Sequence, residues 1–273
     1  MTGRVRVELG GVPETALWTL CNRAAEAARP DAVIDDPLAV ELVGRIDLPF
    51  AERFGPPRLG QWQALRARCF DRALARFLDA HPGATVVALG EGLETQFWRV
   101  GERRGAAWVS VDGAETIALR ERLLPASRRL RAVAGSALDR AWAEPVDPGA
   151  PVIVTAQGLL MYLGPADVHG LIAGIARRLP GARLVFDAVP AWLAARSQAG
   201  KLVTGEGYAP PPWRWGLDAE EERRLATLPG VASLAALRVP RGRGPVLGFA
   251  FPLLARAAWT RRRMFTVFEA VFA

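Results

Sequence analysis

A chain of 273 residues, 51% of them hydrophobic, is long enough to bury one large core, and two small domains are the poorer fit. Its formal charge of +7 raises the question of a nucleic-acid partner, but all 35 basic residues except Lys201 are arginines scattered among abundant Ala, Gly and Pro, a compositional bias and not a basic groove. No charge-free apolar run reaches the roughly 18 residues of a membrane span, Met1 to Glu8 lacks the apolar stretch of a signal peptide, and two isolated cysteines, Cys21 and Cys69, argue against a disulfide framework or a zinc cluster and for a reducing cytoplasm.

The chain opens helix-rich. Thr15–Ala28 has no breaker and stops before Pro30. Pro37–Val43 forms a second helix, with Asp36 as N-cap and Pro37 at the first helical position. Gln61–Ala80 carries Leu65, Phe70, Leu74, Phe77 and Leu78 on one face, an amphipathic pattern. Residues 1–80 are therefore expected to be a helical extension packed on a larger core, residues 81–273.

After His81-Pro82-Gly83 short β-rich runs alternate with helical ones, which predicts an α/β fold with a mostly parallel sheet. The predicted strands are Thr85–Leu89, Trp108–Asp112, Arg131–Ala134, Val152–Ala156 and Arg183–Asp187. The helices between them cover Glu94–Glu102, Ala114–Leu123 and Asp167–Leu179. An irregular segment from Pro190 to Leu217, rich in Pro and Trp, follows the last alternating strand. It reads either as a lid over an acceptor pocket or as a surface loop pinned by its tryptophans. Val231–Val239 and Pro245–Phe251 flank Gly242 and Gly244 and predict a terminal antiparallel hairpin. Five alternating strands plus a hairpin fit a seven-stranded methyltransferase sheet better than a dehydrogenase sheet.

The stretch Leu89-Gly90-Glu91-Gly92-Leu93-Glu94-Thr95 is the most informative. A buried strand runs into a glycine pair, a helix follows, and the next strand ends in Asp112, about 20 residues on. Glycines let the backbone approach a ligand, and the acid can accept two ribose hydroxyls. A dinucleotide would call for a third glycine where Thr95 stands, and a helix start carrying Glu94 repels a diphosphate. S-adenosylmethionine has no phosphate and carries a sulfonium and an amino group, so an acidic glycine loop suits it better.

These residues, with Arg23 to Ala27 and Asp36-Pro37, Arg66 to Asp71, Val111-Asp112 with Glu115 and Arg120, and Gln157 to Leu163, resemble the leucine carboxyl methyltransferase family. The bacterial branch of polyketide O-methyltransferases is the nearest. The likeness runs from about residue 14 to about residue 250. It implies a class I methyltransferase, Rossmann-like sheet and S-adenosyl-L-methionine as cofactor. It further implies that Arg66 holds the cofactor's carboxylate, that Gly90 and Gly92 pass beneath its methionine part, and that Asp112 takes the ribose. Gln157 stands where many members have Glu for the amino group, and Ala137-Leu138 stand where Asp-Leu is common near adenine. Tyr162, past the fourth core strand, is the candidate for positioning the acceptor. Without the resemblance, Arg66 would read as a surface arginine and Asp112 as a helix cap.

No residue reads as a general base. His169 lies on a helix and His81 at the far end of the sheet, which leans toward a carboxylate acceptor without excluding a hydroxyl. Trp192, Trp213 and Trp215 would suit a small hydrophobic or polyketide-like acceptor. The leading expectation is an O-methyltransferase on such a molecule, with no nucleic acid and no membrane as partner. The alternative is a cofactor-binding relic without transfer activity, which Ala137 and Gln157 favour.

Overall fold

The computed structural model describes residues 4–139, 141–147, 149–202 and 208–273. Met1 to Gly3 of the N-terminal stretch and residues 203–207 of the Pro190–Leu217 segment lie outside the described residues. Seven strands form the main sheet: β1 (Thr85–Leu89), β2 (Ala107–Asp112), β3 (Leu130–Ala134), β4 (Val152–Ala156), β5 (Arg183–Ala188), β6 (Val231–Leu237) and β7 (Thr266–Phe272). Their order across the sheet is β3-β2-β1-β4-β5-β7-β6. The first five are parallel, and β7 runs antiparallel between β5 and β6.

The central strands read as nearly continuous apolar runs because both faces are covered. β1 and β4 are buried at every residue. Side chains alternate along β1 with period two. Val86 and Ala88 meet Phe70, Leu74 and Phe77 of α4 (Gly60–Ala80), while Val87 and Leu89 belong to the opposite core with Leu171, Ile172 and Ile175 of α6 (Pro165–Arg178). The last helix of the N-terminal extension is thus one wall of the sheet's own core. Ahead of it, α1 (Glu14–Ala27) and α2 (Pro37–Arg45) pack together with α3 (Phe50–Phe54). Asp36 caps α2, accepting from the Ala39 amide at 3.2 Å, with Pro37 in the first turn. A further helix, α5 (Ala114–Leu123), follows β2.

Three expectations are corrected. The hairpin partner of β6 is Thr266–Phe272, not Pro245–Phe251. Residues 246–250 wind as a π-turn that runs without a break into an α-turn at Phe251–Leu254. β7 instead carries the buried pattern of a sheet strand at Val267, Phe268, Ala270 and Phe272. The helix predicted at Glu94–Glu102 is a π-turn at Phe97–Gly101 and a 3-10 turn at Glu102–Arg104. Glu94, Thr95 and Arg99 are drawn there into a buried polar network, and π-turns occur where a helix is distorted by a site.

The third correction concerns the irregularity expected of Pro190–Leu217. Part of it is the helix α7 (Ala191–Gln198), and a backbone bridge ties Pro190 to Leu217. Trp215 is buried in the core beside α6, and its indole N–H donates to Glu221 at 2.7 Å. Trp192 lies on the surface with its N–H on the Arg263 carbonyl. Tyr208 packs on Trp18 and edge-on to Phe54, with ring centroids 5.8 and 4.8 Å away. Only Trp213 of the three tryptophans faces the cavity described next.

Candidate functional site

Adjacent strands β1 and β4 send their connections to opposite faces of the sheet, which opens a crevice beyond their carboxyl ends. A cavity of about 700 Å³ occupies it, and Arg66, Gly90, Gly92, Asp112, Gln157 and Tyr162 all lie on its wall. Ala137 and Leu138 do not. They line a separate cleft of about 320 Å³ against α6. The turn Ser136–Asp139 explains this placement: the Ser136 amide donates to Asp139 and the Leu138 amide to the Ser136 hydroxyl, both at 3.1 Å, which faces the side chains away from the crevice.

The glycine loop is fixed from beneath. Gly90 and Gly92 sit at φ +59° and +56°, a region that costs a residue with a Cβ roughly 1–2 kcal/mol. A Cβ on Gly90 would also lie 2.9 Å from Leu159. The Gly92 amide donates to Asp112 Oδ2 at 2.8 Å, and Arg120 Nη1 donates to the Gly92 and Glu94 carbonyls at 2.6 and 3.1 Å. Glu91 lies 2.8 Å from Arg120; burial pushes its carboxyl up, and the guanidinium pulls against that. Asp112 also accepts from the Gly113 amide at 2.7 Å, so it holds the loop while facing the cavity.

Beside the loop lies a charge network that the sequence did not reveal as such. Arg23 donates to Asp36 at 2.8 Å and to Glu94 at 3.2 Å. Arg99 donates to Asp36 at 2.8 Å, to Glu94 at 2.7 Å and, through Nε and Nη2, to both oxygens of Asp71. Two arginines therefore face three carboxylates, of which only Glu94 also lines the cavity. Burial alone would raise the Glu94 carboxyl, but Arg23 and Arg99 outweigh it and hold the group down at about 2.

Gln157 joins this network. Its amide nitrogen donates to Glu94 Oε2 at 2.9 Å, and only that end of the amide can donate to a carboxylate. The orientation is thereby settled, and Gln157 Oε1 is left buried with no partner. Arg66 is similar. Its Nη1 donates to Asp187 Oδ2 at 2.9 Å, while its Nε is buried and unpartnered. Asp187, at the end of β5, also accepts from the Gly158 amide at 2.6 Å. Sequence reasoning missed Asp187; the available signal was an acid placed directly after the apolar run Leu184–Phe186 of a strand.

The Gln157–Glu94 contact explains why glutamine stands here. Gln157→Glu would set two carboxylates about 3 Å apart, and one would have to keep its proton. A carboxyl whose folded pKa is raised adds stability that is lost as pH rises above the unfolded value. The variant's deficit in melting temperature is therefore expected to be small near pH 5 and to grow toward pH 8. A deficit that does not change with pH would disprove the shared-proton account.

Residues 16–176 match the leucine carboxyl methyltransferase family. The chain is 33% identical over 211 residues to the tetracenomycin polyketide synthesis O-methyltransferase TcmP of Streptomyces glaucescens, covering 77% of each chain. It is 30% identical over 185 residues to the S-adenosyl-L-methionine-dependent methyltransferase dpfgK of Gibberella zeae, covering 62% of each. Among solved structures, a DUF574 family protein from Streptomyces avermitilis superposes with a TM-score of 0.57 at 14% identity, over 93% of this chain and 97% of that one, a likeness of fold.

The residues present fit S-adenosylmethionine. An unpartnered guanidinium nitrogen suits a carboxylate, an unpartnered amide oxygen suits an ammonium, and a loop that turns through glycine at positive φ at Gly90 suits close approach of a ligand.

Proposed function

This chain belongs to the leucine carboxyl methyltransferase family, and on that premise we propose that it methylates a carboxylate or hydroxyl oxygen of a small, apolar acceptor. Its cofactor is S-adenosylmethionine, which supplies an electrophilic methyl group on a sulfonium. The protein's share of the work is alignment and exclusion of water. Arg66 and Gln157 bind the two ends of the amino-acid moiety, and Asp112 accepts from the ribose. One observation carries the acceptor reading: the same cavity that holds these polar groups is continuous with an apolar wall formed by Trp62, Leu193, Leu202, Trp213 and Phe265.

Tyr162 stands in that apolar wall, packed with Met161 and Trp213. Burial pushes its phenol up, with Trp213 and Thr15 nearby offsetting only part of that, so the hydroxyl keeps a proton that it can offer to an acceptor oxygen. It is suited to orient an acceptor oxygen and unsuited to remove a proton. Neither histidine lines the cavity. His169 is held by Glu221 at 2.7 Å, and His81 packs on Phe77. An acceptor that is already ionised, such as a carboxylate or an acidic phenol, needs no base.

Labelled-methyl transfer across a set of phenols and carboxylic acids tests the proposal. Label recovered on carbon or nitrogen of the product would disprove it. Tight cofactor binding with no transfer to any acceptor would favour the relic. For an accepted substrate, Tyr162→Phe is expected to lower kcat about tenfold, the loss of one hydrogen bond, with cofactor affinity unchanged. Unaltered turnover would remove Tyr162 from the acceptor site.

A further inference from the structure

The segment Pro245–Leu254 is ten residues without a charge, and its helical turns are apolar on every side. Leu247 and Phe251, four residues apart, line the cavity. Phe249 and Leu253, also four apart and on the opposite side, point outward, 68% and 49% exposed. Val246 belongs to both surfaces: it lines the cavity and is 65% exposed, so the cavity's mouth opens at this element. Leu254, Trp259 and Trp192 extend the exposed apolar surface. A helix that is apolar all round is ordinarily covered on all sides, and a patch of this size marks an interaction surface.

The charge around the patch selects what covers it. From Arg223 to Phe268 the sequence has nine arginines and no acidic residue; Arg224, Arg243, Arg261 and Arg262 are paired with carboxylates from outside that stretch, which leaves the positive charge of the others. Arg241, Arg256 and Arg263 are exposed, and the Arg263 guanidinium lies 5.6 Å from the Trp259 ring centre. A second copy docking face to face would bring like charges together across a two-fold axis. Large apolar and aromatic side chains bordered by arginines are instead the pattern of an element that lies in a lipid interface, with the rings at headgroup level and the guanidinium groups on lipid phosphates. No helix among the described residues is long and apolar enough to cross a membrane, so the contact is with one surface.

We propose that residues 245–263 dock this protein on an anionic membrane surface, with the cavity mouth at Val246 turned toward the lipid. The docking stands independently of the methyl-transfer reading.

Co-sedimentation of the full chain with sucrose-loaded vesicles tests it. Binding to phosphatidylcholine with one-quarter phosphatidylglycerol is expected to be about tenfold or more tighter than to phosphatidylcholine alone. The double substitution Phe249→Ser with Leu253→Ser is expected to weaken it about tenfold or more, while melting temperature and S-adenosylmethionine affinity stay unchanged. Three results would overturn the proposal. One is no binding by the unaltered protein. Another is equal binding by the double variant, which would mean adsorption by net charge. The third is a dimer in sedimentation equilibrium that the double variant dissociates, which would mean that a second copy covers the patch.

Discussion

Arg99→Ala is expected to lower the melting temperature by roughly 10 °C, from the loss of one partner of a buried ion network and the usual shift of a few degrees per kcal/mol in a chain of this size. The side chain bonds three carboxylates at once, Asp36, Asp71 and Glu94, all at 3.0 Å or less. Without it, Arg23 alone remains to balance Asp36 and Glu94. The cost is also expected to depend on pH, with a sign set by Glu94. Its folded value, about 2, lies below the ordinary 4.5, so its contribution is fully present above pH 4.5 and is lost as pH falls toward 2. The gap between the unaltered protein and the variant should therefore be widest near neutral pH and should narrow below 4.5, as thermal unfolding from pH 3 to 7 will measure. A gap that stays constant would assign the effect to packing of the side chain's stem and remove the charge argument.

That network also marks where reading the sequence stopped. The central strands were legible because a parallel strand covered on both faces must be apolar throughout, and Val152–Ala156 could be little else. Asp36-Pro37 announced a helix start from local chemistry alone. Pro245–Phe251 misled because a short apolar run looks alike in a strand and a helix, and its helical form is set by what lies around it. β7 pairs with β5 at a distance of more than 75 residues, which no local pattern encodes. The site divides in the same way. Gly90, Gly92 and Asp112 sit in one strand-turn-helix-strand unit and could be read from spacing. Arg66 and Gln157 came from the family likeness alone, and Tyr162 from its place just past the fourth core strand. Asp187 binds Arg66 across 121 positions and was missed. Arg23, Glu94 and Arg99 were visible as residues of motifs, but their mutual bonds join α1, the glycine loop and the π-turn only in the folded chain.

Removing the Arg66 guanidinium is expected to weaken S-adenosylmethionine binding about 100-fold, the equivalent of one to two charge-assisted hydrogen bonds to a carboxylate. Arg66→Ala alone would not give a clean answer. It would leave Asp187 buried with only the Gly158 amide for company, and an unpaired buried carboxylate destabilises by roughly 3–5 kcal/mol. The double substitution Arg66→Met with Asp187→Asn removes both charges together, keeps the volume, and leaves an amide oxygen for Gly158. Calorimetry on this variant with two ligands then separates binding from folding. S-adenosylmethionine should lose about 100-fold, whereas its decarboxylated analogue, which has nothing for Arg66 to hold, should bind the variant and the unaltered protein alike. Equal losses for both ligands would mean that the pair Arg66–Asp187 shapes the pocket through Gly158, whose Cβ position lies 3.2 Å from Arg66 Nη1, and that the carboxylate is held elsewhere.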